Sequence, residues 1–332
     1  MSDERGRWSR WVAFWSEREP GEPMAILRIL VGLVAAWTAF SPIVHGAVPL
    51  FVDITWGGLA PVGAGPTWMD LLTGATPSAV HASLIAATLS GLATAAGLGG
   101  RWTPLLTGQL MLLMFTFHPG TGGGHDRVIT NACWLLFLGD PARTLSLDCR
   151  LRTDRWTDDT PVLAMPRRLV VWQLVYMYTL TGLQKQGDAW GAYSGWRAVY
   201  DTLLLPSWNR VDLRQVLGQT FFLTQVGTVV AWWWESTWPL LLVQGWYRLH
   251  PESTGRLASL SRAWDLRPLF IALGVITHVT LFIFCDLGPF SAITMSLYIA
   301  LYDGHAVRAA VRRWWPGMYA SDPVLETATN VV

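Results

Sequence analysis

Lysine is all but missing from this chain of 332 residues: of 24 basic residues, Lys185 alone carries an amine and the rest are arginine. Charge of either sign is scarce at 14%, and the formal net charge is +1. So even a balance gives no electrostatic footprint for nucleic acid. Cysteine is rarer still. Cys133, Cys149 and Cys285 form no CxxC pair, cannot all be joined within one chain and lack zinc spacing, so they read as packing residues. No P-loop or dinucleotide-binding glycine motif occurs, which leaves soluble cofactor chemistry without support.

What is plentiful is apolar surface. Apolar residues make up 52% of the chain and tryptophan alone numbers 21, too greasy and aromatic for an ordinary soluble domain. Windows long enough to cross a bilayer fall near 24–46, 79–99, 102–118, 127–141, 168–186, 219–246, 268–285 and 289–305. The expectation is an all-α, polytopic helical bundle of about eight transmembrane helices spanning 20–315, with an N-terminal segment 1–19 and a tail 316–332. Arginine placement gives an independent orientation. With a cytoplasmic N-terminus, eighteen of the 24 basic residues fall on the inner side and five outside, while Arg28 sits within the first span, where it can snorkel. Both termini are then cytoplasmic, in an inner membrane, and Lys185 lies at the outer end of the fifth span. The first apolar window is as long as a full span and no small-residue cleavage site follows it, so it reads as a retained helix. Ahead of it, Trp8, Trp11, Val12 and Trp15 recur at helical spacing among arginines, as in an amphipathic helix on the inner leaflet.

An ionisable residue at a span is a candidate for function. Lys185 is the foremost, because an amine in an apolar site can give up its proton whereas a guanidinium stays charged; the plainer alternative is a lysine snorkelling at the membrane edge. Glu235, within the run WWWEST, must be paired, protonated or facing a cavity. His278 lies in an apolar span, where a satisfied interior histidine is the commoner case. His125, Asp126 and Arg127 follow three glycines on the outer side. With His118 they suggest a metal site, but a flexible glycine run suits rigid ligands poorly, so they read as a polar cluster near a pocket, or as the cap of the fourth span. Asp148 reads as a partner of neighbouring arginines. Aromatics in 47–78 (Trp56, Trp68) and 187–214 (Trp190, Tyr193, Trp196, Tyr200, Trp208) fit an interface belt, and the second set, following Lys185 directly, could wall a pocket for a flat ring such as a quinone. No repeat pair of broken helices of the transporter kind is visible.

The run YMYTLTGLQK from Tyr176 to Lys185, followed by Trp190, resembles the signature of the membrane region of vitamin K-dependent gamma-carboxylase, which also occurs alone in bacteria as the horizontally transferred transmembrane (HTTM) domain. RILVG from Arg28 to Gly32, the glycines before His125 and Asp126, Ser146-Leu147-Asp148 and His278 agree in order, so the resemblance covers most of 20–315. It implies that Lys185 is the base that deprotonates a reduced quinone, vitamin K hydroquinone or a menaquinol-like one, which then reacts with oxygen so that a glutamate side chain is carboxylated. No metal is implied. Gln184 stands where the animal enzymes carry a second lysine. The expected partners are membrane lipid, a quinone and a secreted peptide or protein. Two alternatives stay open: maturation of a secreted peptide without quinone chemistry, and a non-catalytic membrane scaffold.

Overall fold

A computed structural model describes residues 2–53, 55, 76–117 and 122–319. Trp56, Trp68 and His118 lie outside these residues. The chain divides into two packing units, residues 1–170 with 299–332, and residues 171–298. Both are built of helices.

The first unit begins with α1 (Ser2–Ser16), whose Trp8, Trp11 and Val12 are exposed. A short strand β1 (Arg18–Glu19) then pairs antiparallel with β2 (Val162–Leu163). The helices α2 (Glu22–Val44), α3 (Val48–Val52), α4 (Pro77–Ala96), α5 (Trp102–Thr116), α6 (Gly124–Leu138) and α7 (Leu147–Thr153) complete the order. The start of α4 is set by Thr76, whose hydroxyl accepts the Ala79 N–H at 3.2 Å, and by Pro77 in its first turn.

Small residues four apart bring α2 and α4 into backbone contact. A Cβ on Gly32 would stand 2.7 Å from the Gly91 carbonyl oxygen, and one on Gly91 2.7 Å from the Ala36 nitrogen. Such stripes let helices pack closely where lipid supplies no hydrophobic driving force. The opposite faces carry Leu33, Trp37, Leu89 and Leu92 exposed.

Arg28 does not snorkel. Its side chain is fully buried, with Nη2 donating to the Leu145 carbonyl at 2.7 Å and Nη1 to that of Pro141 at 3.3 Å. Loop carbonyls far along the sequence replace water around the guanidinium, a partner that hydropathy cannot reveal. The Asp148 carboxylate, expected to partner neighbouring arginines, accepts the Gly100 N–H at 2.7 Å. Arginines 167 and 308 are also consumed internally. Arg167 clasps Glu19 at 2.5 and 2.9 Å, and Arg308 meets Glu22 at 2.7 Å and Asp159 at 2.9 Å.

Helix α8 (Met165–Gln184) begins in the first unit and continues into the second. There it is succeeded by α9 (Ala198–Leu204), α10 (Arg214–Leu217), α11 (Phe221–Ser236), α12 (Pro239–Leu249), α13 (Arg256–Ala263), α14 (Arg267–Phe284) and α15 (Phe290–Ser296). The window 219–246, expected as one span, is therefore two helices. Pro239 has no N–H to give to the Glu235 carbonyl, and the chain breaks across Thr237 and Trp238.

The last window breaks too. After α15 a 3-10 stretch, Leu297–Leu301, leads to Asp303, which caps α16 (Gly304–Trp314) of the first unit by accepting the Ala306 N–H at 3.0 Å. Twelve residues of helix reach about 18 Å, short of the ~30 Å hydrocarbon core. Among the described residues, three helices are long and apolar enough to cross a membrane: α2, α4 and α14.

Candidate functional site

Tyr178, Gly182 and Lys185 recur at i, i+4 and i+7, which places them on one side of α8 and its C-terminal end. Gly182 permits a close crossing with α11. A Cβ there would stand 2.6 Å from the backbone nitrogen of Ser236 and 2.9 Å from the carbonyl carbon of Glu235. Without a side chain, α8 and α11 touch through their backbones. Lys185 then meets Glu235, its ammonium pairing with Oε2.

The pair is well enclosed, with 14% of the lysine side chain and 12% of the glutamate exposed. Trp190, in the 3-10 turn Asp188–Trp190, presents its ring face 5.0 Å from the lysine nitrogen. Burial of opposite charges is tolerated because each neutralises the other. The sequence leaves the partner of Glu235 open; in the structure it is Lys185.

Below the pair lies an aromatic block. The Tyr178 ring stacks on Trp238 at 4.4 Å and 17°, and lies 4.6 Å from Trp234, which is fully buried and donates its indole N–H to the Phe270 carbonyl at 3.1 Å. Trp238 in turn stacks on Tyr298 at 6.3 Å. Both breaks in the helical pattern, at Trp238 and at the 3-10 stretch containing Tyr298, are thus turned onto Tyr178. Irregular backbone of this kind is tolerated at membrane depth only where protein covers it or a cavity meets it.

The tyrosine hydroxyls are joined to the histidine. Tyr178 Oη lies 2.5 Å from Tyr298 Oη and 2.7 Å from His278 Nε2. All three side chains are buried, and Gly274 leaves the space that the Tyr298 phenol occupies, its absent Cβ falling 2.7 Å from Cζ. His278 Nδ1 has no hydrogen-bond partner among the described residues.

The structure therefore brings Lys185, Trp190 and Glu235 together, and joins His278 to Tyr178 and Tyr298. Tyr193 stands apart, 96% exposed, and walls nothing. Trp196 and Tyr200 pack instead against Trp232 and Phe221 of α11, at 6.3 and 5.1 Å. An open depression in this unit is lined by Ser194, Arg197, Tyr200, Asp201, Gly218 and Phe221, and Lys185 does not border it.

His125, Asp126 and Arg127 belong to the first unit, where they open α6. His125 meets the Phe115 ring edge-on at 5.5 Å, and the Asp126 carboxylate accepts the Arg127 N–H at 2.7 Å. An acid in a first turn suits the helix dipole. Among the described residues no three His, Cys, Asp or Glu side chains converge as metal ligands. The three cysteines are free and buried.

Sequence reasoning does not single out Tyr178, Tyr298, Trp234 or Trp238. Tyr178 carries a signal, its two-turn spacing from Lys185; the others are set by tertiary packing. No family model, curated protein or solved structure matches the chain.

Proposed function

We propose that the protein is a membrane-embedded, carboxylase-like enzyme of the HTTM kind, in which Lys185 serves as a base toward a reduced quinone at the outer side of the membrane. The carrying observation is that the sole lysine is enclosed against Glu235 and the face of Trp190. Exposed apolar faces on α2, α4 and α14, including Trp37, Leu89 and Ile276, support contact with lipid, and arginine placement supports eight crossings with both termini cytoplasmic.

The pair has two forms of equal net charge. With the proton on nitrogen it is an ammonium and a carboxylate; with the proton on Glu235 it is an amine and an acid, and the amine can accept a hydroxyl proton. The indole face beside the partly open nitrogen suits a flat ring whose hydroxyl meets the amine. A bound quinol would supply the acidic hydroxyl and, with oxygen, the oxidative chemistry. Glu235 holds the amine in place.

The test compares the wild type, Lys185→Arg and Lys185→Ala in membranes for quinol-dependent oxygen uptake and for carbon dioxide incorporation into peptide. Arginine preserves the charge and cannot act as a base, so Lys185→Arg is expected to be inactive, and Lys185→Ala to recover in part with small added amines. Full activity in Lys185→Arg removes the base. Peptide maturation without quinol dependence would favour a maturation factor that uses no quinone.

A further inference from the structure

Gln244 fastens the short helix α13 to α12. Its buried side chain donates to the Ser261 carbonyl at 3.3 Å and to that of Trp264, and accepts the Leu266 N–H at 3.1 Å. Arg248, also on α12, meets Asp265 at 3.2 Å. One side of α13, where Ala258 is buried, is thereby held in place. Another is left apolar and open: Leu257, Leu260 and Trp264 recur at i, i+3 and i+7 and are 64%, 58% and 68% exposed.

The position of α13 limits what can cover that stripe. Its 8 residues reach about 12 Å, too short to cross a bilayer. The next helix, α14, is long and apolar enough to cross one, and only Trp264, Asp265 and Leu266 intervene. Three extended residues span at most about 11 Å, so α13 stays at the membrane boundary. A row of leucines closed by a tryptophan at that depth suits the zone between headgroups and acyl chains. Charge points the same way. Asp265 engages Arg248 and Arg267, at 3.2 and 2.8 Å. Arg256, exposed and one turn ahead of Leu260, has no carboxylate partner among the described residues. A guanidinium at the edge of an apolar stripe meets a phosphate when the stripe enters lipid.

We propose that α13 lies in the plane of the membrane, with Leu257, Leu260 and Trp264 in the lipid and Arg256 on the phosphate of an anionic phospholipid. The inference rests on the membrane part of the reading above, and neither Lys185 nor a quinol enters it. With the orientation read from arginine placement, the surface is the inner leaflet.

The test uses the full chain in phosphatidylcholine nanodiscs, its native cysteines changed to alanine, with one environment-sensitive fluorophore on Leu260→Cys, Ser259→Cys or Ile276→Cys. Ser259 is exposed on α13 away from the stripe, and Ile276 is 63% exposed in the middle of α14. The Leu260 label is expected to emit at shorter wavelength than the Ser259 label and to be quenched by lipids carrying a nitroxide just below the headgroup, while aqueous iodide quenches only the Ser259 label. Equal iodide quenching at 259 and 260, with the Ile276 label in lipid, overturns the in-plane helix and leaves the membrane reading standing. An Ile276 label open to iodide removes the membrane reading itself, and this inference with it. Shielding of the Leu260 label without nitroxide quenching, seen only with more than one copy per nanodisc, means that a second copy covers the stripe and also overturns the proposal.

The charge has its own arm. A trace of nitroxide-labelled phosphatidylglycerol is expected to quench the Leu260 label more strongly than the same amount of nitroxide-labelled phosphatidylcholine, and the excess to be lost in Arg256→Gln and at high salt. Equal quenching by the two lipids in the unsubstituted Arg256 protein, or an excess that survives Arg256→Gln, overturns the assignment of Arg256 to the phosphate.

Discussion

Gly182 lies against the backbone of Ser236, and that contact is what seats Glu235 on Lys185. One methyl group would intrude, its carbon 2.6 Å from the Ser236 nitrogen. The Ser236 hydroxyl, 2.7 Å away, could swing aside, but the Ser236 nitrogen and the Glu235 carbonyl carbon are backbone and could not. Overpacking at such a place costs about 1–3 kcal/mol. Gly182→Ala is therefore expected to lower the melting temperature in detergent and to abolish quinol-dependent activity by separating Lys185 from Glu235. Unchanged activity with an unchanged melting curve would show that α8 and α11 do not need this contact.

Removing one member of the Lys185–Glu235 pair strands the other charge in a closed site. The cost of such stranding is about 3–5 kcal/mol, whereas replacing both members by apolar residues is often neutral or better. Lys185→Met and Glu235→Leu are each expected to destabilise the protein, and the double variant to recover most of the loss while staying inactive. A thermal-denaturation double-mutant cycle reads this directly. Additive losses would mean that the two side chains do not interact.

The all-α class was legible because apolar windows act over whole segments. Six of the eight windows correspond to single helices, α2, α4, α5, α6, α8 and α14, within a few residues. The other two failed where hydropathy stays high across a break: Pro239 follows the end of α11 inside an apolar run, and Leu297–Leu301 tightens to 3-10 geometry without a proline, glycine or charged residue to mark it. Lys185, Trp190 and Glu235 were each visible alone, as rare residues in apolar surroundings. Their meeting was not, because 50 residues separate the two charges and the contact depends on a glycine whose role is steric. Arg28 misled for the same reason, since its carbonyl partners sit in a distant loop.

Orientation can be tested without reference to chemistry. Reporter tags at residues 2 and 330 are both expected on the cytoplasmic side and a tag near residue 60 outside, because arginine asymmetry orients the chain. The twelve-residue apolar stretch Phe290–Leu301 is shorter than the three helices long enough to cross a membrane. A C-terminal tag found outside, with residue 2 inside, would show that this stretch re-enters the membrane rather than spanning it.

Asp265 ties the turn between α13 and α14. Hydrogen bonds from the Arg267 guanidinium, 2.8 Å away, aided by the backbone N–H of Arg267 and the nearby charge of Arg248 at 3.2 Å, hold the Asp265 carboxyl down at about 2. An unfolded aspartate titrates near ~3.9. With the folded value depressed, this carboxylate contributes stability that is complete above the unfolded range and is lost as pH falls through about 2. Asp265→Asn is therefore expected to melt below the wild type at pH 6, and the gap to close between about pH 4 and pH 2. Melting curves of both proteins in detergent across that range are the measurement. A gap that persists unchanged at the acid end would place the effect in lost hydrogen bonds of the turn, with no contribution from the ionised carboxylate.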